Sequence, residues 1–291
     1  MSKSGFLKKA VIYLVLIFMA LFVLFPLTWI AVTSIKTRKD VLTTSFIPFL
    51  QFKPTLEHWI SELSLSERVG PTATAGGPMN YKAMIDSTII GLGSAALATV
   101  LGVFAGYALA RYEFKKWKNI DIITFFLSLR FMPPICMAIP FYVMMRFANL
   151  LDTHLAVILL HAVCFMPYAV LVLRDYFKSL PVEIEEAAMV DGASTLTILW
   201  KVALPLAVPA VTAVYILLFA FSWNEFLLAF ILTSRNVIPI TVRLAGTVTS
   251  VGMLFWILSV RQIIAIIPPL LLAMLIHKYI VTGLTLGAVK G

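Results

Sequence analysis

The chain has 291 residues, of which 61% are apolar and 13% charged. A soluble globular domain is about half apolar and about a quarter charged, so the composition excludes that class. The formal net charge of +9 invites a nucleic-acid partner, but the basic residues sit in short clusters between long apolar runs, the pattern of membrane proteins rather than nucleic-acid binders.

An apolar run from Ala10 to Ile35 opens the chain, preceded by Lys3, Lys8 and Lys9. A cleavable signal has an apolar region of only about 7–15 residues and a small-x-small cleavage site. This run is longer and lacks the site, so it is predicted to be a retained first span over 11–34. A long outer loop, 36–83, follows and contains the turn-rich stretch Pro71-Thr-Ala-Thr-Ala-Gly-Gly-Pro78. Further spans are predicted over 84–110, 120–145, 155–173, 206–232 and 260–280. Each is close to the roughly 20 residues that cross a bilayer as a helix. The apolar segment Gly252 to Ser259 either extends the last helix or lies at the outer surface, where Trp256 suits an interface. The fold class is therefore all-α, a polytopic bundle of six spans in a single transmembrane domain.

Lys and Arg in short loops set the orientation. Arg111, Lys115, Lys116 and Lys118 crowd the loop between the second and third spans. Arg174, Lys178 and Lys201 lie between the fourth and fifth, and Lys278 and Lys290 lie near the C-terminal end. Six spans put these segments and the N-terminal lysines on one side, the cytoplasm. Lys116 and Gly192 are thus expected inside and Thr74 outside. Lys36, Arg38 and Lys39 disagree, but they stand in a long loop, and long loops cross largely regardless of charge.

The chemistry is sparse. Cys136 and Cys164 lie in apolar runs without metal-type spacing and read as small buried residues. No phosphate-binding GxxxxGK[ST] motif and no HExxH occur. No paired His or carboxylate cluster sits in the spans, which argues against a membrane-embedded enzyme, and no catalytic or metal residues are expected. His154 and His161 are isolated and read as packed or hydrogen-bonded. The absence of a convincing internal repeat weakens the case for a secondary transporter built from repeated halves.

Arg130 and Glu225 stand out because each sits inside an apolar span. A charge at the centre of a lone membrane helix costs about 2.5–3.5 kcal/mol on insertion scales, so such groups face a partner or a wet cavity. Their depths suit either a salt bridge or opposite walls of one cavity. Pro133 and Pro134 should kink the third span. Tyr215 and Trp223 offer flat aromatic faces to a bound ring, or pack against neighbours. With Asn224 they complete a candidate substrate path: Arg130, Tyr215, Trp223, Asn224 and Glu225.

The most informative segment is 179–205, between the fourth and fifth spans. Pro181 suits the first turn of a helix, and Glu183, Glu185 and Glu186 lie near its N-terminus, where the dipole favours negative charge. Ala187 and Ala188 keep one surface narrow. Gly192 permits the positive φ that ends the helix, and Ser194 can cap a second one carrying Leu196, Leu199, Trp200 and Val202. Pro205 and Pro209 mark the return into the membrane. A short helix–turn–helix on the cytoplasmic surface results.

This segment resembles the EAA loop of ABC-importer permeases, whose pattern is E-A-A, three residues, G, nine residues, then I-x-L-P. Here it reads Glu186-Ala187-Ala188, Gly192, then Val202-x-Leu204-Pro205, with Val for Ile the only departure. The similarity extends to Arg130-Phe-Met-Pro-Pro134, Trp223-Asn224-Glu225-Phe226 and the tail Gly283 to Gly291, which look like the MalG branch of carbohydrate permeases. The resemblance implies the type I ABC-importer fold in a bacterial cytoplasmic (inner) membrane. It implies a sibling permease, two cytoplasmic ATPase subunits and an extracytoplasmic solute-binding protein as partners, besides membrane lipid. The carbohydrate would pass between the two permeases. ATP and Mg would be bound by the ATPases, with no cofactor on this chain. Glu186, Ala187, Ala188, Asp191, Gly192, Leu204 and Pro205 would couple to the ATPase, and the tail 281–291 would reach toward it. A self-contained secondary transporter or channel has no need of such a loop.

Overall fold

A computed structural model describes residues 3–63, 81–249 and 252–285. The Pro71–Pro78 stretch, Thr74 and the end of the tail lie outside these residues. The helices are α1 Lys3–Ser34, α2 Glu57–Leu63, α3 Tyr81–Arg111, α4 Asn119–Phe131, α5 Pro134–Phe147, α6 His154–Ser179, α7 Val182–Val190, α8 Thr195–Ile198, α9 Leu204–Asn224, α10 Leu227–Leu232, α11 Ile240–Ala245 and α12 Phe255–Thr285. A two-stranded hairpin, β1 Val248–Thr249 with β2 Gly252–Met253, precedes α12. Trp256 thus falls in the first turn of that helix. Among the described residues, five helices are long and apolar enough to cross a bilayer, and the α4–α5 pair makes a sixth if counted as one span.

The chain forms two compact units: Met1–Asn80 with Arg243–Ile267, and Tyr81–Val242 with Pro268–Gly291. Helix α1 is apolar all round and exposed over 8–29, with Thr33 and Ser34 buried at its end.

In the first unit, Lys36 is buried over the rings of Trp29 and Phe52, at 5.4 and 5.5 Å, and burial lowers its ammonium pKa. Arg38 lies 5.7 Å over the Trp256 ring. Two of the three basic residues that disagree with the charge rule are therefore held by aromatic packing. Arg261 is fully buried and grips Glu62 with two hydrogen bonds, 2.8 and 3.2 Å, while Nη1 donates to the Arg243 carbonyl.

The second unit is built on α3, α6 and α9. Helices α3 and α6 approach through small residues: a Cβ at Gly102 would stand 2.4 Å from Ala169 Cβ, and one at Gly106 would stand 2.9 Å from the Arg174 nitrogen. Gly102 and Gly106 form a GxxxG pair, the spacing that lets membrane helices touch backbone to backbone. An apolar cluster including Ile90, Met145, Leu160 and Leu228 ties α5 and α10 to α3 and α6.

The span predicted over 120–145 is two helices bent by 95°. A proline pushes the residue before it out of the α region. Pro133 does this to Met132 (ψ 122°), and Pro134 does it to Pro133 (ψ 132°). Two successive extended residues break the helix where one would kink it. Likewise the span predicted over 206–232 stops at Asn224, because Glu225 is extended (ψ 128°) and α10 starts afresh. At its other end this helix starts earlier than expected: α8, a π-helical turn Leu199–Ala203 and α9 run on as one 30-residue helix, Thr195–Asn224. The wide turn lies just before Pro205, which brings no N–H to the ladder.

Asp152 sits at the α5–α6 turn with φ 61°. Its carboxylate accepts the backbone N–H groups of Ser234, Arg235, Asn236 and Val237 at 2.8–3.2 Å. Burial opposes its charge, yet these four donors outweigh that and hold the carboxyl well below the usual carboxylate range.

Candidate functional site

Leu180 ends α6 in extended backbone, and Pro181 caps α7. Helix α7 closes on Gly192, whose φ of +82° is the left-handed turn that a missing Cβ allows. There Gly192 N donates to the Met189 carbonyl and Ala193 N to the Ala188 carbonyl, both at 3.0 Å. Ser194 Oγ then accepts from Thr197 N at the start of α8. Glu186, Ala187, Asp191 and Gly192 are exposed, Ala188 is half-buried, and Pro205 is exposed beside half-buried Leu204. Around them stand exposed apolar side chains: Val190 is 88% exposed, Leu196 60% and Met189 51%.

One acidic residue of α7 behaves differently. Glu185 is buried, and its Oε1 accepts Arg111 Nε at 3.0 Å and Nη2 at 2.9 Å, while Oε2 accepts the Tyr107 hydroxyl at 2.8 Å. Arg111 Nη2 also donates to the Leu180 carbonyl. The last turn of α3 thus clamps α7 from behind while Glu186 faces outward. The sequence placed Glu185 among dipole-favoured acids and missed this role. The available signal was an Arg ending a span and an acid preceding the E-A-A triplet, but nothing in the order of residues joins positions 111 and 185.

The substrate-path candidates separate. Trp223 is 3% exposed and packs on Phe219, at 5.5 Å between rings. Tyr215 is half-buried, its hydroxyl 3.5 Å from the Leu92 carbonyl. Helix α9 is apolar all round, so hydropathy could not say which aromatic residues face inward. Asn224 is exposed. Arg130 lies over the Tyr168 ring at 4.1 Å, and Tyr168 meets Phe221 at 5.0 Å.

Glu225 pairs with His161 Nε2 at 3.2 Å and takes the backbone N–H groups of Leu228 and Ala229 at the head of α10. His161 Nδ1 meets Ser222 Oγ at 2.8 Å, and Ser222 Oγ meets Ser94 Oγ at 2.8 Å. A buried polar chain therefore crosses from α10 through α6 and α9 to α3. Of the two arrangements open for Arg130 and Glu225, these contacts describe separate settings on aromatic and polar partners. His161, isolated in sequence, is the centre of the chain and fully buried.

Comparison with known proteins gives the family and the fold. The family described as "Binding-protein-dependent transport system inner membrane component" matches residues 98–286. The sulfoquinovosyl glycerol transport system permease protein SmoH of Agrobacterium fabrum is 31% identical over 92% of this chain and 89% of its own length. The trehalose/maltose transport system permease protein MalG of Thermococcus litoralis is 31% identical over 98% of each chain. Among solved structures, a bacterial ABC transporter involved in import of the acidic polysaccharide alginate superposes with a TM-score of 0.73. That match covers 96% of this chain and 98% of the other at 22% identity, and so speaks for the fold.

Proposed function

Because the chain belongs to the family of binding-protein-dependent transport system inner membrane components, we propose that it is one of two permeases lining a carbohydrate path. Within that family it is a sugar ABC-importer permease, a multi-pass inner-membrane transport component of type I fold and not an enzyme. Such a permease works with an ATPase and a binding protein. In the proposed complex, α7 and its Gly192 turn lie in the cytoplasm and dock on one of two ATPase subunits, which bind ATP and Mg. The outer loops meet a solute-binding protein, and a sibling permease covers the face bearing Arg130 and Asn224.

The observation that supports this reading is the two-faced α7. Glu185 ties one side to α3, while Glu186, Met189 and Val190 are exposed on the other. A helix held on one side and bare on the other can pass on a partner's movement. The substrate class follows the relatives, whose names include a sulfonated sugar glycoside, trehalose and maltose.

Reconstitution with the sibling permease, ATPase and binding protein tests the proposal. A panel spanning neutral disaccharides, raffinose-type oligosaccharides and sulfonated or uronic sugars is expected to yield one class that raises ATP hydrolysis. No stimulation across the panel by a fully assembled complex would overturn the carbohydrate reading.

A further inference from the structure

Beside the clamp, a cavity of about 710 Å³ opens between the ends of α3 and α6 and the 112–118 loop. Arg111, Lys115, Lys118, Arg174 and Lys178 line it, and Glu113 is the one acidic residue among the lining side chains. Arg111 is committed to Glu185. Lys115, Lys118 and Lys178 are exposed arms at the rim. Arg174 is half-buried; its Nη1 pairs with the Asp175 carboxylate, while its Nε is buried and finds no hydrogen-bond partner among the described residues. A buried guanidinium N–H left unpaired is costly and calls for an acceptor.

The cavity is built by the fold rather than by chance disposition of lysines. Asn119 staples the loop: its Nδ2 donates to the carbonyls of Leu109 and Tyr112, and its Oδ1 accepts Phe114 N. Tyr112, Phe114 and Trp117 stand exposed around it. Exposed aromatic residues beside cations at the end of spanning helices mark a membrane interface.

We propose that this cavity binds a phosphate-bearing anion, and that its occupant is the headgroup of an anionic phospholipid of the cytoplasmic leaflet. The assignment to that leaflet rests on the orientation proposed above. The chemistry fits: a phosphodiester brings acceptors for Arg174 and the rim lysines, and its acyl chains lie along the apolar surfaces of α3 and α6. Basic pockets between spanning helices on the cytoplasmic side take such headgroups. A soluble phosphate offers the same oxygens but gains nothing from the aromatic rim.

The test uses the assembled transporter in nanodiscs of phosphatidylcholine with a rising fraction of phosphatidylglycerol. Retained phosphatidylglycerol is counted by mass spectrometry of the extracted complex. The double variant Lys118→Gln, Lys178→Gln is expected to retain this lipid roughly tenfold more weakly. Lys116→Gln, an exposed lysine of the same loop that does not line the cavity, is expected to retain it as the parent does. Equal retention by parent and double variant overturns the site. An equal loss in Lys116→Gln overturns the pocket in favour of diffuse surface charge. In a second arm, inorganic phosphate is added at millimolar concentration. Persistence of the bound lipid supports the headgroup, and its displacement by free phosphate overturns the lipid as the occupant.

Discussion

Replacing Glu185 should loosen α7 from the membrane bundle in a graded way. Both Arg111 hydrogen bonds fall on Oε1, and the Tyr107 hydroxyl falls on Oε2. In Glu185→Gln the amide oxygen can keep both Arg111 bonds, and the amide nitrogen can donate to a Tyr107 hydroxyl turned to accept. What is lost is the charge. Charge-assisted bonds are about twice as strong as neutral ones, so the expected cost is about 1–2 kcal/mol. Glu185→Ala removes all three bonds and leaves the largely buried Arg111 facing only the Leu180 carbonyl, which should cost about 3 kcal/mol. These costs fall on the attachment of α7, since α3 and α6 still meet through Gly102 and Gly106. Amide exchange across 182–192 should therefore rise about tenfold in the Gln variant and by more than a hundredfold in the Ala variant. In proteoliposomes the ratio of sugar transported to ATP hydrolysed should fall in the same order, with the complex assembled. Parent-like exchange and parent-like coupling in Glu185→Ala would refute the reasoning.

Gly192→Ala meets no atom within 4 Å of the new Cβ, so its cost is backbone strain alone, about 1–2 kcal/mol; normal membrane insertion with reduced transport is expected, checked by fractionation and sugar uptake. For Asp152 the sign is fixed by a depressed folded pKa: its contribution is complete above the ordinary carboxylate range and drains away as pH falls below about 4. Melting of the purified complex between pH 7 and pH 3 should show this loss, and Asp152→Asn should be less stable at pH 7 and flatter with pH. Glu225→Gln keeps an acceptor for Leu228 and Ala229 but removes the charge beside His161, so transport rate or sugar preference should change while the complex assembles and hydrolyses ATP. Parent-like uptake of several sugars by both Glu225→Gln and Arg130→Gln would remove these residues from the path.

What was legible in the sequence was local. Pro181, Gly192 and Ser194 act on their own neighbours, so a helix, its left-handed stop and the next cap could be read in order. Pro133 and Pro134 announced a disturbance at the right place, but its size came from two extended residues acting together. Partners far apart in the chain could not be read. Glu185 finds Arg111, and Glu225 finds His161, across separations of 74 and 64 residues. The facing of α9 was hidden for another reason. In a helix apolar on every side, composition carries no phase, and the fate of Trp223 was decided by the packing of α3 and α9.

The run from Thr195 to Asn224 has a mechanical meaning. Thirty helical residues make a rod about 45 Å long. One end starts three residues from Gly192, and the other stops at Glu225, on which the polar chain and the head of α10 converge. Tilting a rod of that length by about 5° about its base carries its tip through about 4 Å, close to the diameter of a sugar hydroxyl with its hydrogen-bonding partner. A tilt imposed at the Gly192 turn would therefore arrive magnified at Glu225. The wide turn at Leu199–Ala203 is the place where such a lever would flex, and its stiffness sets how much of the stroke is delivered.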